Sequence, residues 1–228
     1  MPWWVEFNAL RPQQRAIVDL IRNNPNQHHW IKGFAGTGKT LILLQVIEQI
    51  AATNPNASLC YITYTNALVA LAGTIQNRPA FVNRLDIKTY HMFLHDHRHY
   101  DFVFLDEVQD VETGRLARIK ALSRHLYVAG DPDQQIYQGR VTPAEITETL
   151  QPLYPPHELR EVCRLTPKLC QVARSINPDT QLIAGLTAYP NPNASITLMQ
   201  ADFVNEEANW VWQEARNRAR PGAPAVIL

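Results

Sequence analysis

The stretch GFAGTGKT (33–40) matches the pattern G-x-x-x-x-G-K-[ST] and stands between the short apolar run HWIK (29–32) and the apolar helix LILLQVIEQI (41–50). A strand feeding a glycine-rich loop, with a helix leaving it, is the context a phosphate cradle requires. Gly33, Gly36 and Gly38, with the small residues Ala35 and Thr37 among them, let the backbone wrap closely and turn its N–H groups inward. Lys39 is placed to reach β- and γ-phosphates, and Thr40 offers a hydroxyl to Mg²⁺. The positive end of the helix dipole favours the anion further.

Such a loop needs an acid on a second strand. DFVFLDEVQD (101–110) supplies one at the end of an apolar run. Asp106 is the expected Mg²⁺ partner, and Glu107 is positioned to orient or deprotonate an attacking water. The pairing points to hydrolysis rather than to simple phosphate binding.

Outward from these two stretches, short apolar runs alternate with helical ones. Strands are expected at 29–33, 59–63, 101–107 and 125–131, and helices at 39–51, 66–76 and 112–122. Strands separated by helices of this length form parallel β/α units, with the sheet buried on both faces. A strand at 158–163, a helix at 167–176, a strand at 195–200 and a helix at 203–218 read as the start of a second unit. The run AVIL (225–228) begins another buried strand and stops. The expected organisation is a complete α/β domain over 1–154 and an incomplete second one over 155–228.

Composition bounds the function less than the motifs do. The 228 residues carry 21 Lys and Arg against 21 Asp and Glu, and 46% are apolar. This is the balance of an ordinary soluble globular protein. Neither part of the chain is basic, so any polyanion must be held by local contacts. Cys60, Cys163 and Cys170 are an odd set at no metal-ligand spacing, which fits a reducing cytoplasm. No apolar run is long enough to span a membrane. His91, His95, His97 and His99 lie close together without companion ligands and read as a polar loop. Arg115, Arg118, Lys120 and Arg124 read as a solvated helix face.

The motifs, in order and spacing, resemble superfamily 1 DNA helicases of the UvrD/Rep type. LRPQQ (10–14) resembles the family's Q motif, GFAGTGKT its motif I, YITYTNAL (61–68) its motif Ia and KTYHMF (88–93) its motif Ib. DEVQD (106–110), GDPDQQIY (130–137) and VCRLT (162–166) resemble motifs II, III and IV. The resemblance implies a RecA-like P-loop fold, ATP and Mg²⁺ as cofactors, and single-stranded DNA as partner. It implies that Gln14 reads the adenine edge, Gln134 senses the γ-phosphate and Arg164 acts as an arginine finger. It places Tyr64, Thr65, Asn66, Thr89, Tyr90, His91, Tyr137 and Arg140 along the single-strand track, where aromatic faces stack on bases.

Departures from the family pattern shape the expectation. Gly139 stands where a base-stacking tryptophan is usual, Cys163 where a tyrosine lies against the adenine, and Leu41 where an arginine covers its other face. Only 15 positions separate His91 from Asp106, which leaves no room for the helical insertion of the family. Nothing resembles motifs V and VI. The chain is therefore expected to hydrolyse ATP as a first motor domain and not to unwind DNA alone. A partner or a further region would supply the second motor domain. The competing reading is a non-hydrolysing, nucleotide-dependent binding or regulatory module.

Overall fold

The computed structural model describes residues 4–79, 81, 84–135, 137–163, 167–176, 183–184 and 202–219. The chain divides into two compact units, residues 1–192 and 193–228. In the first, helix α1 (Pro12–Asn23) starts with a proline in its first turn, where the missing N–H costs nothing, and buries Gln14, Ile17, Val18 and Ile21 on one face. Strand β1 (His29–Gly33) follows, and then helix α2 (Lys39–Thr53). Leu43, Leu44, Val46, Ile47 and Ile50 of α2 are all buried, so this helix is apolar nearly all round. It is the centre of its layer, and Leu43→Ala would cost roughly 2–5 kcal/mol.

The chain continues through β2 (Leu59–Thr63), α3 (Asn66–Gly73), β3 (Leu85–Thr89), α4 (Tyr90–Asp96), β4 (Tyr100–Leu105), α5 (Arg115–Ala121), β5 (Ser123–Gly130), α6 (Pro143–Leu150) and β6 (His157–Leu159). The six strands form one sheet in the order β3-β2-β4-β5-β1-β6. Every pairing is parallel.

Alternation along the strands divides the apolar residues between two cores. Ile31, Tyr61, Phe102, Phe104, Tyr127 and Ala129 pack with α1, α2 and Ala72 of α3. Trp30, Cys60, Ile62, Val103, Leu105, Leu126 and Val128 pack with α4, α5 and α6. The parallel sheet with helices on both faces is the α/β, RecA-like P-loop architecture expected. Because all strands run the same way, the loops following β1 to β6 gather at one pole, where ligands of open α/β sheets bind.

The expected strands at 29–33 and 59–63 coincide with β1 and β2, and the helix at 167–176 is α7 (Pro167–Ile176). Elements α1, β3, α4 and α6 add to the expected set. The predicted strand 101–107 ends at Leu105, because Glu107 turns to a left-handed backbone with φ 53°. The predicted helix 112–122 starts only at Arg115, after Gly114 at φ 79°. The predicted strand 158–163 is two pieces, β6 in the main sheet and β7 (Glu161–Val162), which pairs with β8 (Ile183–Ala184). The outward edge of β6 is met by Gln13, whose amide donates to Glu158 O at 2.9 Å and accepts from Arg160 N at 3.2 Å. In the second unit, helix α8 (Val204–Arg218) carries Glu206 and Glu207 in its first turn and Arg216 and Arg218 in its last, complementing its dipole. The strands expected at 195–200 and 225–228 lie outside the described residues. Among the described residues no helix is long and apolar enough to cross a membrane.

Candidate nucleotide site and adjoining aromatic cluster

The loop between β1 and α2 has the shape its glycines imply. Gly36 and Gly38 adopt φ 77° and 92°, a region that side chains rarely enter. A Cβ on Gly33 would stand 2.8 Å from Leu159 Cβ, Leu159 O and Thr37 Oγ1, and one on Gly38 would stand 2.7 Å from Gln14 Nε2. Thr37 Oγ1 donates to Phe34 O at 2.8 Å. Lys39, only 7% exposed, folds its ammonium back onto the loop and donates to Gly33 O at 2.9 Å and Phe34 O at 3.3 Å. Ala35 sits half-buried in this loop. A buried ammonium resting on two loop carbonyls, within a cradle closed to larger side chains, fits a phosphate group.

Asp106 is 1% exposed at the end of β4. Tyr61 of β2 donates its hydroxyl to Asp106 Oδ2 at 2.8 Å, and Glu107 N–H donates to Oδ1 at 3.0 Å. The Thr40 hydroxyl faces this carboxylate and favours its charged form, so the phosphate loop adjoins β4 here. Burial, and next the Glu107 charge, raise Asp106 above the usual carboxylate range, while these hydrogen bonds pull the other way. A divalent cation would remove that penalty by supplying the missing positive charge, so a hydroxyl and a buried carboxylate in contact fit Mg²⁺.

Glu107 lies beside them in the left-handed conformation. Its Oε2 accepts from Gln109 Nε2 at 2.8 Å, and Gln109 Oε1 accepts from Asp131 N at 3.1 Å. Gln134 closes a short turn on the same loop, its N–H donating to Asp131 O at 3.0 Å. Arg164 lies outside the described residues. The last residue before it, Cys163, donates its N–H to Gly36 O at 2.8 Å, so the chain reaches the phosphate loop one residue earlier. Gln14 faces the loop too: its Nε2 donates to Thr37 O at 2.9 Å and lies 3.7 Å from Cys163 Sγ, and its Oε1 accepts from Arg11 N at 3.2 Å. Leu41 packs against the core of α1 and α2.

The residues assigned to the single-strand track also meet. Tyr64 stacks on Tyr90 with centroids 5.8 Å apart and lies 6.3 Å from Tyr137. The Arg140 guanidinium covers Tyr137 at 5.3 Å and Tyr64 at 5.8 Å. Glu112 accepts from Tyr90 Oη at 3.3 Å and pairs with Arg140 at 3.4 Å. Tyr90 is buried beneath Tyr64, so its ring is not presented at the surface, whereas Tyr137 is 47% exposed. His91 packs on Tyr90 at 3.9 Å from an exposed position. Thr65 and Thr89 accept the N–H groups of Leu68 and Met92 and so cap α3 and α4, and Asn66 is exposed at the start of α3.

Tyr61, Gln109, Glu112 and Gly130 were not singled out from sequence. Tyr61 had a signal, a hydroxyl within an otherwise apolar buried strand, and Gln109 stood inside DEVQD. Among the described residues no group of three His, Cys, Asp or Glu side chains is placed to hold an ion.

A family model described as an AAA domain matches residues 13–140, more than half of the chain. The chain belongs to that family. The chain is 22% identical over 192 residues to a curated protein named Probable DNA helicase II homolog from Mycoplasma capricolum subsp. capricolum. The match covers 78% of the chain and 26% of the relative, so the chain spans about a quarter of that protein's length. Among solved structures, the Pyrococcus furiosus Hef helicase domain matches with a TM-score of 0.48 at 18% identity, over 64% of this chain and 37% of that one. Arterivirus nonstructural protein 10 (helicase) matches with 0.47 at 18% identity, over 79% and 47%. The AAA domain resembles the N-terminal part of UvrD/Rep-type superfamily 1 helicases.

Proposed function

We propose that this AAA domain binds ATP with Mg²⁺ and hydrolyses it as the first motor domain of a UvrD/Rep-like superfamily 1 DNA helicase, acting on single-stranded DNA in the cytoplasm. The observation that carries this reading is the junction at Asp106, where a buried carboxylate, the Thr40 hydroxyl and Glu107 meet at the end of the phosphate loop that holds Lys39.

In this reading Lys39 exchanges its loop carbonyls for β- and γ-phosphate oxygens, and the N–H groups of 33–40 close on the phosphates. Thr40 and Asp106 hold Mg²⁺, which neutralises charge developing on the phosphate oxygens. Glu107 accepts a proton from the attacking water as its oxygen bonds to the γ-phosphorus. The bond from that phosphorus to the β–γ bridging oxygen breaks, and ADP leaves. Gln134 senses the γ-phosphate, and Arg164 stabilises the transferred group, a role typically worth about 10³–10⁵ in rate. Gln14 reads the adenine edge by exchanging its present partners. Tyr64, Tyr137 and Arg140 form the strand-facing part of the track, with Thr65, Asn66, Thr89 and His91 along it and Tyr90 beneath.

We further propose that the first motor domain is 1–154, its sheet completed by β6 from the segment that follows, and that 155–228 begins a second one, completed by a partner or a further region. Unwinding would then lie beyond this chain alone.

The test is Mg²⁺-dependent ATP turnover with and without single-stranded DNA, for the unaltered chain, Lys39→Ala and Glu107→Gln. Turnover stimulated by DNA, lost in both variants, with ATP binding kept in Glu107→Gln, supports the motor. Tight ATP binding without turnover in the unaltered chain replaces it with a nucleotide-dependent binding module, and unchanged turnover in both variants overturns the site.

A further inference from the structure

Gln109 bonds to Glu107 on one side and to the end of β5 on the other. It is 3% exposed, in the short turn that follows Glu107. Its carbonyl oxygen accepts from Asp131 N, so the orientation of the amide is fixed, and the NH₂ group must face the Glu107 carboxylate, to which it donates at 2.8 Å. Space for this bridge comes from Gly130. A Cβ there would lie 2.5 Å from Gln109 Oε1 and 2.6 Å from Val108 Cγ1.

Two further observations show that the connection is built. Glu107 holds a left-handed backbone without being glycine, a state that persists only where neighbours enforce it. The same two loops are also tied beyond the turn, Thr113 N to Gly139 O at 3.0 Å and Val141 N to Val111 O at 2.9 Å.

We propose that Gln109 is a positioning residue, which fixes the Glu107 carboxylate for proton transfer and ties it to the 131–134 turn, so that Glu107 and Gln134 keep one mutual geometry. It rests on the hydrolytic reading above. Gln109 takes no proton and touches no phosphate, so its removal acts on rate through Glu107.

The experiment measures kcat and the Kd of ATP with Mg²⁺ for the full chain, for Gln109→Met, Gln109→Glu and Glu107→Gln, and for Glu107→Gln combined with each. Gln109→Met loses both bonds, whereas Gln109→Glu keeps an acceptor for Asp131 N but loses the donor to Glu107. Each single Gln109 variant is expected to lose about tenfold to a hundredfold in kcat, the scale of a small misplacement of a reacting group. ATP Kd is expected to stay within about threefold, and the combined variants to lose no more than Glu107→Gln alone. Should Gln109→Met not fold, Gln109→Glu gives the same comparison. Turnover within about twofold of the unaltered chain, additive losses in the combined variants, or ATP binding lost in step with rate would each overturn the proposal. An unaltered chain without turnover overturns the hydrolytic reading first, before any variant is compared, and this proposal falls with it.

Discussion

His29 Nδ1 and His157 Nε2 lie 3.1 Å apart, one imidazole bonded to the other where β1 meets β6. His29 Nε2 lies 2.9 Å from Asn24 O, which can only accept, so that nitrogen carries the proton. His29 Nδ1 is then the acceptor and His157 Nε2 the donor, with both rings neutral. Tyr154 and Tyr127 stack on His29. Burial lowers both imidazoles, His157 to about 4.

A lowered pKa means that the folded state binds fewer protons than the unfolded chain. The stability contributed by the pair is therefore present above the ordinary histidine value near 6.5 and is lost as pH falls toward 4. Thermal unfolding between pH 7.5 and 4.5 should show a falling Tm. His157→Gln, which keeps an N–H donor but does not titrate, should reduce that fall by a few °C. Equal pH dependence in both proteins would remove the pair as its source.

Asp106 has the opposite sign. Its folded-state pKa is raised, so its favourable contribution exists below the ordinary carboxylate value and is lost as pH rises through the folded-state value. Near pH 7.5 the buried charge is a cost. Asp106→Asn is expected to raise Tm by a few °C while abolishing Mg²⁺-dependent turnover. Tyr61→Phe should lower Tm instead, because it leaves a buried carboxylate short of a donor, at about 1–3 kcal/mol.

Gly130→Ala offers a steric route to the active turn. A methyl group 2.5 Å from Gln109 Oε1 and 3.0 Å from Val108 N must push the turn away from β5. Overpacking of this kind costs about 1–3 kcal/mol, so Tm should drop by several °C. Turnover measured well below the new Tm should still be depressed, with ATP binding retained.

On the proposed single-strand track, Glu112 pairs with Arg140 at 3.4 Å. A DNA phosphate held there would compete with that carboxylate. Glu112→Gln is expected to tighten single-stranded DNA binding, read by fluorescence anisotropy. Arg140→Ala should weaken it and flatten the salt dependence by about 0.7 in log–log slope, one phosphate contact on a single strand. A slope unchanged in Arg140→Ala would take Arg140 off the track.

What was legible in sequence was local. Lys39, Thr40, Asp106 and Glu107 stand in contiguous stretches whose flanking apolar runs announce their strands, and β1 and β2 coincide with the expected limits. Strand β3, at a sheet edge, alternates Asp86 and Lys88 with Leu85 and Ile87 and so lacks the continuous apolar run that marks β2 and β4. In sequence LRPQQ reads as a glutamine motif, while Ile17, Val18 and Ile21 mark the buried face of α1. The partners of the site residues are a different matter. Tyr61 and Asp106 are 45 positions apart, Gln109 and Asp131 are 22, and His29 and His157 are 128. Such pairs follow from strand order, which no local periodicity encodes.

The amide of Gln13 has a consequence beyond packing. Strand β6 ends the sheet, and an edge strand exposes carbonyl and N–H groups that any passing strand can pair with. Gln13 takes one of each, Glu158 O and Arg160 N, from a helix that cannot continue the ladder. A side chain thus plays the part of a seventh strand and terminates the series. Without it, this border would be open to recruitment by a second molecule.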